Sequence, residues 1–341
     1  MTKVSVIVPC RNERGHIDAF LESVFAQILA SPDQELEVVI ADGMSDDGTR
    51  QCLEDWQRRQ PGLIVIDNPE RITSTALNRA IERAGGEIVV RMDVHTVYAS
   101  DYVAECVRTL QLTGATCVGG PWRPAGEGGL QLAIARAFES RFGSGGAASR
   151  RTDYSGPVDT VYLGAWRRAD LVRLGGFDEF LVRNQDDELN LRIVRSGGKV
   201  WQSASIRSSY APRASLRALF RQFYQYGYWK VPVIRKHRLP ASPRHLVPFA
   251  FVVTLALLAA AAPFSPPAGL AAMALLAVYF VAALANAAGS SRLLANPRET
   301  LTIAMAFACM HFGYGIGFGH GLLDFVVLGK GPHDEMTRLT R

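Results

Sequence analysis

Residues 246–289 contain no Lys, Arg, Asp or Glu, and no other feature constrains the chain as strongly. Pro263, Pro266, Pro267 and Gly269 break this run with a tight, uncharged turn. The pieces on either side, 246–264 and 268–288, are each close to the ~20 residues that cross a bilayer as a helix. A third apolar segment, 301–328, carries Gly313, Gly315, Gly317, Gly319 and Gly321 together with His311, His320 and Asp324. It is expected to be a membrane helix or a broken, re-entrant pair, because ionisable groups at that depth need a protein or aqueous surround. The chain is 48% hydrophobic and its charges avoid one end, so a soluble head followed by about three spans is expected. Arg235, Lys236, Arg238 and Arg244 precede the first span, and Arg292 and Arg298 lie between the second and third. Both flanks, and the head with them, should therefore be cytoplasmic. Lys330, Arg338 and Arg341 in the tail weakly oppose an exterior C-terminus.

The head reads as strands alternating with helices. Residues 3–9 form a first strand, since the opening MTKVSVIVPCRNE has an apolar run too short for a signal peptide. Apolar residues at helical spacing follow over 16–30, then a strand at 36–41, a helix at about 48–60, a strand at 63–67, a helix at about 73–84 and a strand at 87–92. Such alternation implies right-handed crossovers and a parallel sheet covered by helices. A helix at 101–112 and a strand at about 115–120 come next. Residues 130–142 read as an amphipathic helix with Arg136 and Arg141 on its polar side, and 143–158 (GSGGAASRRTDYSGPV) as a mobile loop. A short strand at 160–163, a helix near 168–174, a helix within 185–196 and a strand at 199–202 complete the head. Residues 215–230 (SLRALFRQFYQYGYWK) are an aromatic, basic amphipathic helix of the kind that lies in a membrane interface. A helix packed on the soluble core is the plainer alternative.

Chemistry concentrates at the strand ends. The apolar run Val38, Val39, Ile40 suits a strand buried on both faces. It breaks at Asp42-Gly43 into a loop crowded with Ser45, Asp46, Asp47, Gly48 and Thr49, and Asp47 or Thr49 can cap the next helix. In open α/β sheets ligands bind beyond the carboxyl ends of the strands. A second strand, IVVRMDVH at 88–95, delivers Asp93 in the same manner, and in an extended segment His95 would share its face. Asp186 and Glu188 begin a later helix. A nucleotide-diphosphate donor needs a divalent ion to offset phosphate charge and a base to activate an acceptor hydroxyl. These groups supply candidates for both. The five Cys (Cys10, Cys52, Cys106, Cys117, Cys309) are scattered without a CxxC, which fits a reducing compartment and no structural zinc. No GxGxxG follows the first strand, against a dinucleotide-binding oxidoreductase.

Taken together, these motifs resemble the family 2 inverting glycosyltransferases of the GT-A fold, over roughly residues 1–230. VSVIVPCRNE resembles the family's first strand and nucleotide-contact loop, implicating Pro9, Arg11 and Glu13. ADGMSDDGT resembles the DGxSxDGT element, which implies Asp42 at the uracil or ribose with Asp47 near it. NPERITSTALNRAI resembles the segment bordering the base, with Asn78 a candidate contact. RMDVH occupies the DxD position, which implies Asp93 and His95 at Mg²⁺ or Mn²⁺ and Arg91 with Asp93 at the nucleotide sugar. QDDELNLR resembles EDxELxxR, so Asp186 inherits the role of catalytic base. QFYQYGYWK stands where QxxRW lies in many members, implying acceptor contacts from Gln222, Gln225, Tyr226 and Trp229.

Two departures refine the resemblance. His95 replaces the last Asp of DxD, and Gln222, Gln225 and Tyr226 replace a motif associated with processive synthases. With only about three spans, a single sugar transfer is implied. DVH, QDDELN and QYGYWKV are most similar to the glucosyltransferases of succinoglycan biosynthesis, which extend polyprenyl-diphosphate-linked saccharides. The expected organisation is a GT-A catalytic domain (1–212), an interfacial helix and basic linker (213–245), transmembrane helices (246–329) and a polar tail (330–341). The expected activity is transfer of one hexose, glucose from UDP-glucose, to a lipid-linked saccharide at the bacterial inner membrane, with Arg150 and Arg151 holding the acceptor diphosphate. No nucleic-acid partner is expected; a homo-oligomer or polysaccharide-assembly complex is compatible. The alternatives are a processive polysaccharide synthase and a non-catalytic nucleotide-sugar or lipid-binding scaffold of an export complex.

Overall fold

The computed structural model describes residues 3–126, 128–290 and 297–337; Arg292, Arg338 and Arg341 lie outside them. The first half alternates as predicted: β1 (Lys3–Cys10), α1 (Ile17–Phe25), β2 (Glu35–Asp42), α2 (Thr49–Arg59), β3 (Leu63–Asp67), α3 (Thr73–Arg83) and β4 (Ile88–Arg91). Then follow β5 (Thr96–Tyr98), α4 (Tyr102–Thr113), β6 (Cys117–Gly120), α5 (Gly129–Glu139), α6 (Arg141–Ser144), a 3-10 turn Ala148–Arg150, β7 (Gly156–Pro157), β8 (Tyr162–Arg167), α7 (Arg168–Arg173), α8 (Gln185–Arg195), β9 (Val200–Gln202) and β10 (Ser208–Tyr210). The C-terminal part comprises α9 (Leu216–His237), α10 (Val247–Ala261), α11 (Pro266–Ser290), α12 (Pro297–Leu322) and α13 (Asp334–Thr337). Two compact units result: Met1–Arg123 with Arg151–Tyr210, and Pro124–Arg150 with Ala211–Arg341.

The first unit is a mostly parallel, helix-covered sheet with strand order β3-β2-β1-β4-β8-β6-β9-β7. β3, β2, β1 and β4 run parallel, whereas β8 is antiparallel to both β4 and β6. Val6, Val8, Val38 and Ile40 bury one face beneath α1, α2 and α4, while Ile7, Val39 and Val89 bury the other beneath α3, α7 and α8. The strand order reverses between β1 and β4, and at such a switch point diverging connections leave a crevice beyond the strand ends. Cys10, Asp42 and Asp67 are in register across β1, β2 and β3, so three loops open at the same level. A separate two-stranded pair, β5 with β10, adjoins the β4 end. Neither strand shows in the sequence pattern, because three residues carry no readable period.

In the second unit three helices are long and apolar enough to cross a membrane. The third is neither broken nor re-entrant: α12 continues through a π-helical turn at Leu323–Val327. Its glycines make a packing surface. Gly313, Gly317 and Gly321 stand four residues apart, on one face, against Phe220, Tyr224 and Tyr228 of α9. A Cβ on Gly317 would lie 2.0 Å from the Tyr224 carbonyl oxygen, and one on Gly321 2.6 Å from that of Tyr228. Small residues repeated every fourth position let two helix backbones approach in this way. His311 finds its surround at Tyr279 of α11 and the Phe142 carbonyl (3.0 Å each), and the other two ionisable groups find theirs on α9. The Tyr224 hydroxyl bonds His320 Nδ1 (2.7 Å), Tyr228 donates to Asp324 (2.8 Å), and His320 Nε2 pairs with Asp324 (3.3 Å).

This packing turns part of the aromatic face of residues 215–230 toward the chain itself. The helix runs on through Pro232 to His237, and Tyr228 and Trp229 are fully buried, so they are not a face seated in a lipid interface. Residues 130–142 also differ, since the helix ends at Glu139 and Arg136 pairs with Glu299 of α12 instead of facing solvent. Residues 143–158, expected to be a mobile loop, contain the end of α6, the 3-10 turn and β7.

Candidate active site

The β1 and β2 loops are stitched into one body. Asn12 accepts from the Asp46 amide (3.0 Å) and donates to the Asp46 carboxylate (2.9 Å), while its own amide bonds Ser45 Oγ (2.8 Å). The Glu13 amide donates to Thr49 Oγ1 (2.7 Å) and the Arg14 amide to Asp47 Oδ2 (3.1 Å). Asp47 Oδ1 accepts from the Thr49 amide and hydroxyl (3.0 and 2.6 Å). Burial alone would raise the Asp47 pKa, but these hydrogen bonds outweigh it and hold the carboxyl below its usual range. Asp47 thus braces the loop and the start of α2, whose cap position is Gly48 in a left-handed conformation. Arg11 passes directly over Gly43, where a Cβ would come within 3.0 Å of its side chain.

Asp42 is completely buried at the end of β2. Its Oδ1 accepts from Ser45 Oγ (2.5 Å), and its Oδ2 accepts from the Ser45 amide (3.2 Å) and Arg50 Nη1 (3.2 Å). Arg50 also pairs with Asp67, the neighbouring strand-end acid. Arg50 was not singled out from sequence; its signal is its place immediately after the polar loop, in the first turn of α2. Pro9 is the penultimate residue of β1, paired with Ala41. Asn78 is held within the fold. Its amide exchanges bonds with the Phe177 backbone (2.8 and 2.9 Å) and donates to Glu179 (2.9 Å), so in this conformation it fastens the 175–179 turn to α3.

At the β4 end a single buried guanidinium joins two acids. Arg91 Nε and Nη2 donate to the two oxygens of Asp93 (3.0 and 3.1 Å), and Nη1 donates to Asp186 Oδ1. Only 5% of the Arg91 side chain is exposed, against about a third of each carboxylate. Burial opposes its charge, but Asp186 and Asp93 outweigh that and raise its pKa. Asp186 lies in the first turn of α8, after Asn184 in a left-handed conformation. Loss of hydration is the largest influence on this carboxyl; Arg91 opposes it, and the nearby Asp93 and Asp187 charges reinforce it. The result is a pKa pushed up to about 6. A carboxyl near 6 within reach of a crevice suits proton transfer at neutral pH.

The segment after Asp93 turns instead of staying extended. The Thr96 amide donates to the Asp93 carbonyl (3.1 Å), and the Tyr98 hydroxyl accepts from the Asp93 amide (2.6 Å) and donates to its carbonyl (3.1 Å). His95 is therefore swung away from Asp93, with Nε2 2.8 Å from Glu13 Oε2. Among the described residues, no group of three or more His, Cys, Asp or Glu side chains converges to hold a metal. A carboxylate oxygen accepting one N–H keeps a second lone pair, so Asp93 fits a cation as a single ligand. His95 in this conformation does not join it.

Arg151 pairs with Asp153 (3.6 Å) and lies over the Tyr154 ring. In the second unit Arg150 lies over the Phe138 ring (5.2 Å), Gln222 donates to the Tyr226 hydroxyl (2.9 Å), and Gln225 is fully buried. Trp229 Nε1 donates to the Met336 carbonyl (3.0 Å), so this ring is enclosed by its own chain.

Comparison with known proteins agrees with this geometry. Residues 5–174 match the model of glycosyl transferase family 2. The chain is 32% identical to the succinoglycan biosynthesis protein ExoA of Rhizobium meliloti (strain 1021), over 95% of this chain and 96% of that protein. It is 27% identical, over 94% and 96% respectively, to the dolichyl N-acetyl-alpha-D-glucosaminyl phosphate 3-beta-D-2,3-diacetamido-2,3-dideoxy-beta-D-glucuronosyltransferase of Methanococcus voltae. Among solved structures, the mannosyltransferase PcManGT of Pyrobaculum calidifontis, in complex with GDP-Man and Mn²⁺, superposes with a TM-score of 0.61 at 25% identity, covering 92% of this chain and 87% of that one.

Proposed function

The chain belongs to glycosyl transferase family 2, and from that premise we propose that it moves one hexose from a UDP-sugar, glucose from UDP-glucose, onto a polyprenyl-diphosphate-linked saccharide, with inversion at the anomeric carbon. The observation that carries this reading is the Asp93–Arg91–Asp186 bridge at the switch point of the sheet. The acceptor hydroxyl gives its proton to Asp186 as its oxygen attacks the anomeric carbon. The bond from that carbon to the donor diphosphate breaks on the opposite side, and the electron pair leaves with the nucleoside diphosphate. Asp42 and the stitched β1–β2 loops hold uracil and ribose, with Arg11 beside them. A divalent ion at Asp93, Mn²⁺ or Mg²⁺, would offset the charge of the departing diphosphate. Arg91 keeps Asp186 aimed and prevents the two acids from repelling each other.

The similarity to ExoA supports a role in exopolysaccharide synthesis, and the Methanococcus relative's lipid-phosphate substrate supports a lipid-linked acceptor. The complex of PcManGT supports a nucleotide-sugar donor and Mn²⁺. Three apolar helices support a multi-pass protein of the bacterial inner membrane, and the basic flank at 235–244 supports a cytoplasmic head. Arg150 and Arg151 lie far upstream of any span, so the positive-inside rule does not account for them; they would bind acceptor diphosphate oxygens, as Arg forks do. Gln222, Gln225 and Tyr226 would border the acceptor.

The deciding experiment incubates membranes carrying the protein with labelled UDP-sugars and polyprenyl-diphosphate saccharides, then identifies the product. One added sugar of inverted configuration supports the proposal. A polymer would indicate a processive synthase, and neither transfer nor donor hydrolysis would indicate a scaffold. Undiminished activity in excess chelator would remove the metal from Asp93.

A further inference from the structure

Two bodies meet at the crevice: the stitched β1–β2 loops and the Asp93–Thr96 turn. Each is rigid for its own reasons. Five cross-loop hydrogen bonds at Asn12, Glu13 and Arg14 hold the first, and Tyr98 pins the backbone of the second. Glu13 projects from the first with its carboxylate almost wholly buried, and His95 caps it from the second at 2.8 Å. His16, just before α1, sets its ring edge-on to His95 with centroids 4.8 Å apart. The turn that brings His95 to Glu13 is the one that carries it away from Asp93.

We infer that His95 is a positioning residue, a latch that ties the Asp93 turn to the β1 loop through Glu13, and not a ligand of the cation. The inference rests on the proposed donor: the β1–β2 loops would hold the nucleoside and the Asp93 turn the diphosphate, so the latch fixes the distance between two halves of one ligand. An aspartate at position 95, as the family's DxD motif would have it, would set a second carboxylate against Glu13. The departure from the motif thus follows from the acid it faces.

The test uses the full-length protein in detergent, with folding checked by circular dichroism. Without ligand, His95→Ala should raise hydrogen exchange in both residues 11–14 and residues 93–96; unchanged exchange would overturn the latch. In UDP titrations, His95→Ala and Glu13→Gln should each weaken binding by about tenfold, as loss of a close imidazole–carboxylate contact predicts, and the double variant should be no weaker than either. His95→Gln keeps a donor and should restore binding to within about threefold. His95→Asp should bind as poorly as His95→Ala, whereas a ligand role requires it to bind as well as the wild type or better. Nitrogen modulation in the electron spin echo of bound Mn²⁺, present in the wild type and lost in His95→Gln, would also overturn the inference. If the wild type binds neither UDP nor GDP, the donor reading fails, and the exchange experiment still decides the latch.

Discussion

Acid groups stand beyond the two strands that flank β1, and the surroundings of the two differ in kind. Beyond β2, Asp42 takes hydrogen bonds from Ser45 and Arg50 and disappears from solvent. Beyond β4, Asp93 and Asp186 share one guanidinium, each keeps about a third of its surface open, and Asp186 is pushed up to about 6. An acid whose oxygens are fixed by neighbours on its own loop is suited to holding a ligand in register. An acid that loses water without gaining enough compensation is suited to exchanging a proton. On the proposed reading, similar side chains at comparable ends of the sheet divide binding from chemistry, and the division lies in their partners.

The comparison breaks most visibly at Asp186. Asp186→Asn is expected to cost on the order of 10²-fold or more in turnover while UDP still binds; near-normal turnover would take Asp186 out of the mechanism. Arg91 should come next. Arg91→Met leaves two carboxylates facing each other, with an expected loss of about 2–3 kcal/mol in stability and tens-fold in turnover, read by thermal unfolding and kcat. Arg91→Lys supplies charge without the fork, so full activity in that variant would show that bridging geometry is dispensable. At the β2 end, Asp42→Asn should raise the donor KM by about tenfold and leave kcat within a few-fold. A fall in kcat with unchanged KM would erase the proposed division. Smallest of all, Arg150→Ala/Arg151→Ala should raise the acceptor KM by a few-fold and leave the donor KM unchanged; an equal rise for both substrates would mean this pair does not hold the acceptor.

The parallel half of the sheet was legible because apolar runs such as Val38–Ile40, closed by Gly and Asp, have few other solutions. Asp42, Asp93 and Asp186 were legible as strand-end and helix-start acids. Their partners were not. Arg91 and Asp186 are 95 positions apart in the chain, and no local pattern encodes a pair formed by topology. The position of His95 was not legible because the same-face rule assumes an extended backbone, and one hydrogen bond from Thr96 to Asp93 closes a turn instead. The bonds of Asn78 to Phe177 and Glu179 were equally hidden, since those partners lie 99 and 101 positions further along the chain. The glycine-rich segment was open to two readings, a continuous membrane helix or a broken, re-entrant pair. Only the matching four-residue spacing of Phe220, Tyr224 and Tyr228 on α9 separates them.

The central claim is that Asp186, lifted by its surroundings, takes the proton in sugar transfer. The pH dependence of kcat/KM tests it most directly, because that ratio reports the essential groups of the free enzyme. A base must be deprotonated to act, so with its carboxyl near 6 activity should be low at pH 5, rise through about 6 and level off by pH 7–8. Arg91→Lys, with fewer donors for Asp186, should move that limb to higher pH. A rate that is flat from pH 5 to 8, or an acid limb that persists unchanged in the residual activity of Asp186→Asn, would contradict the account.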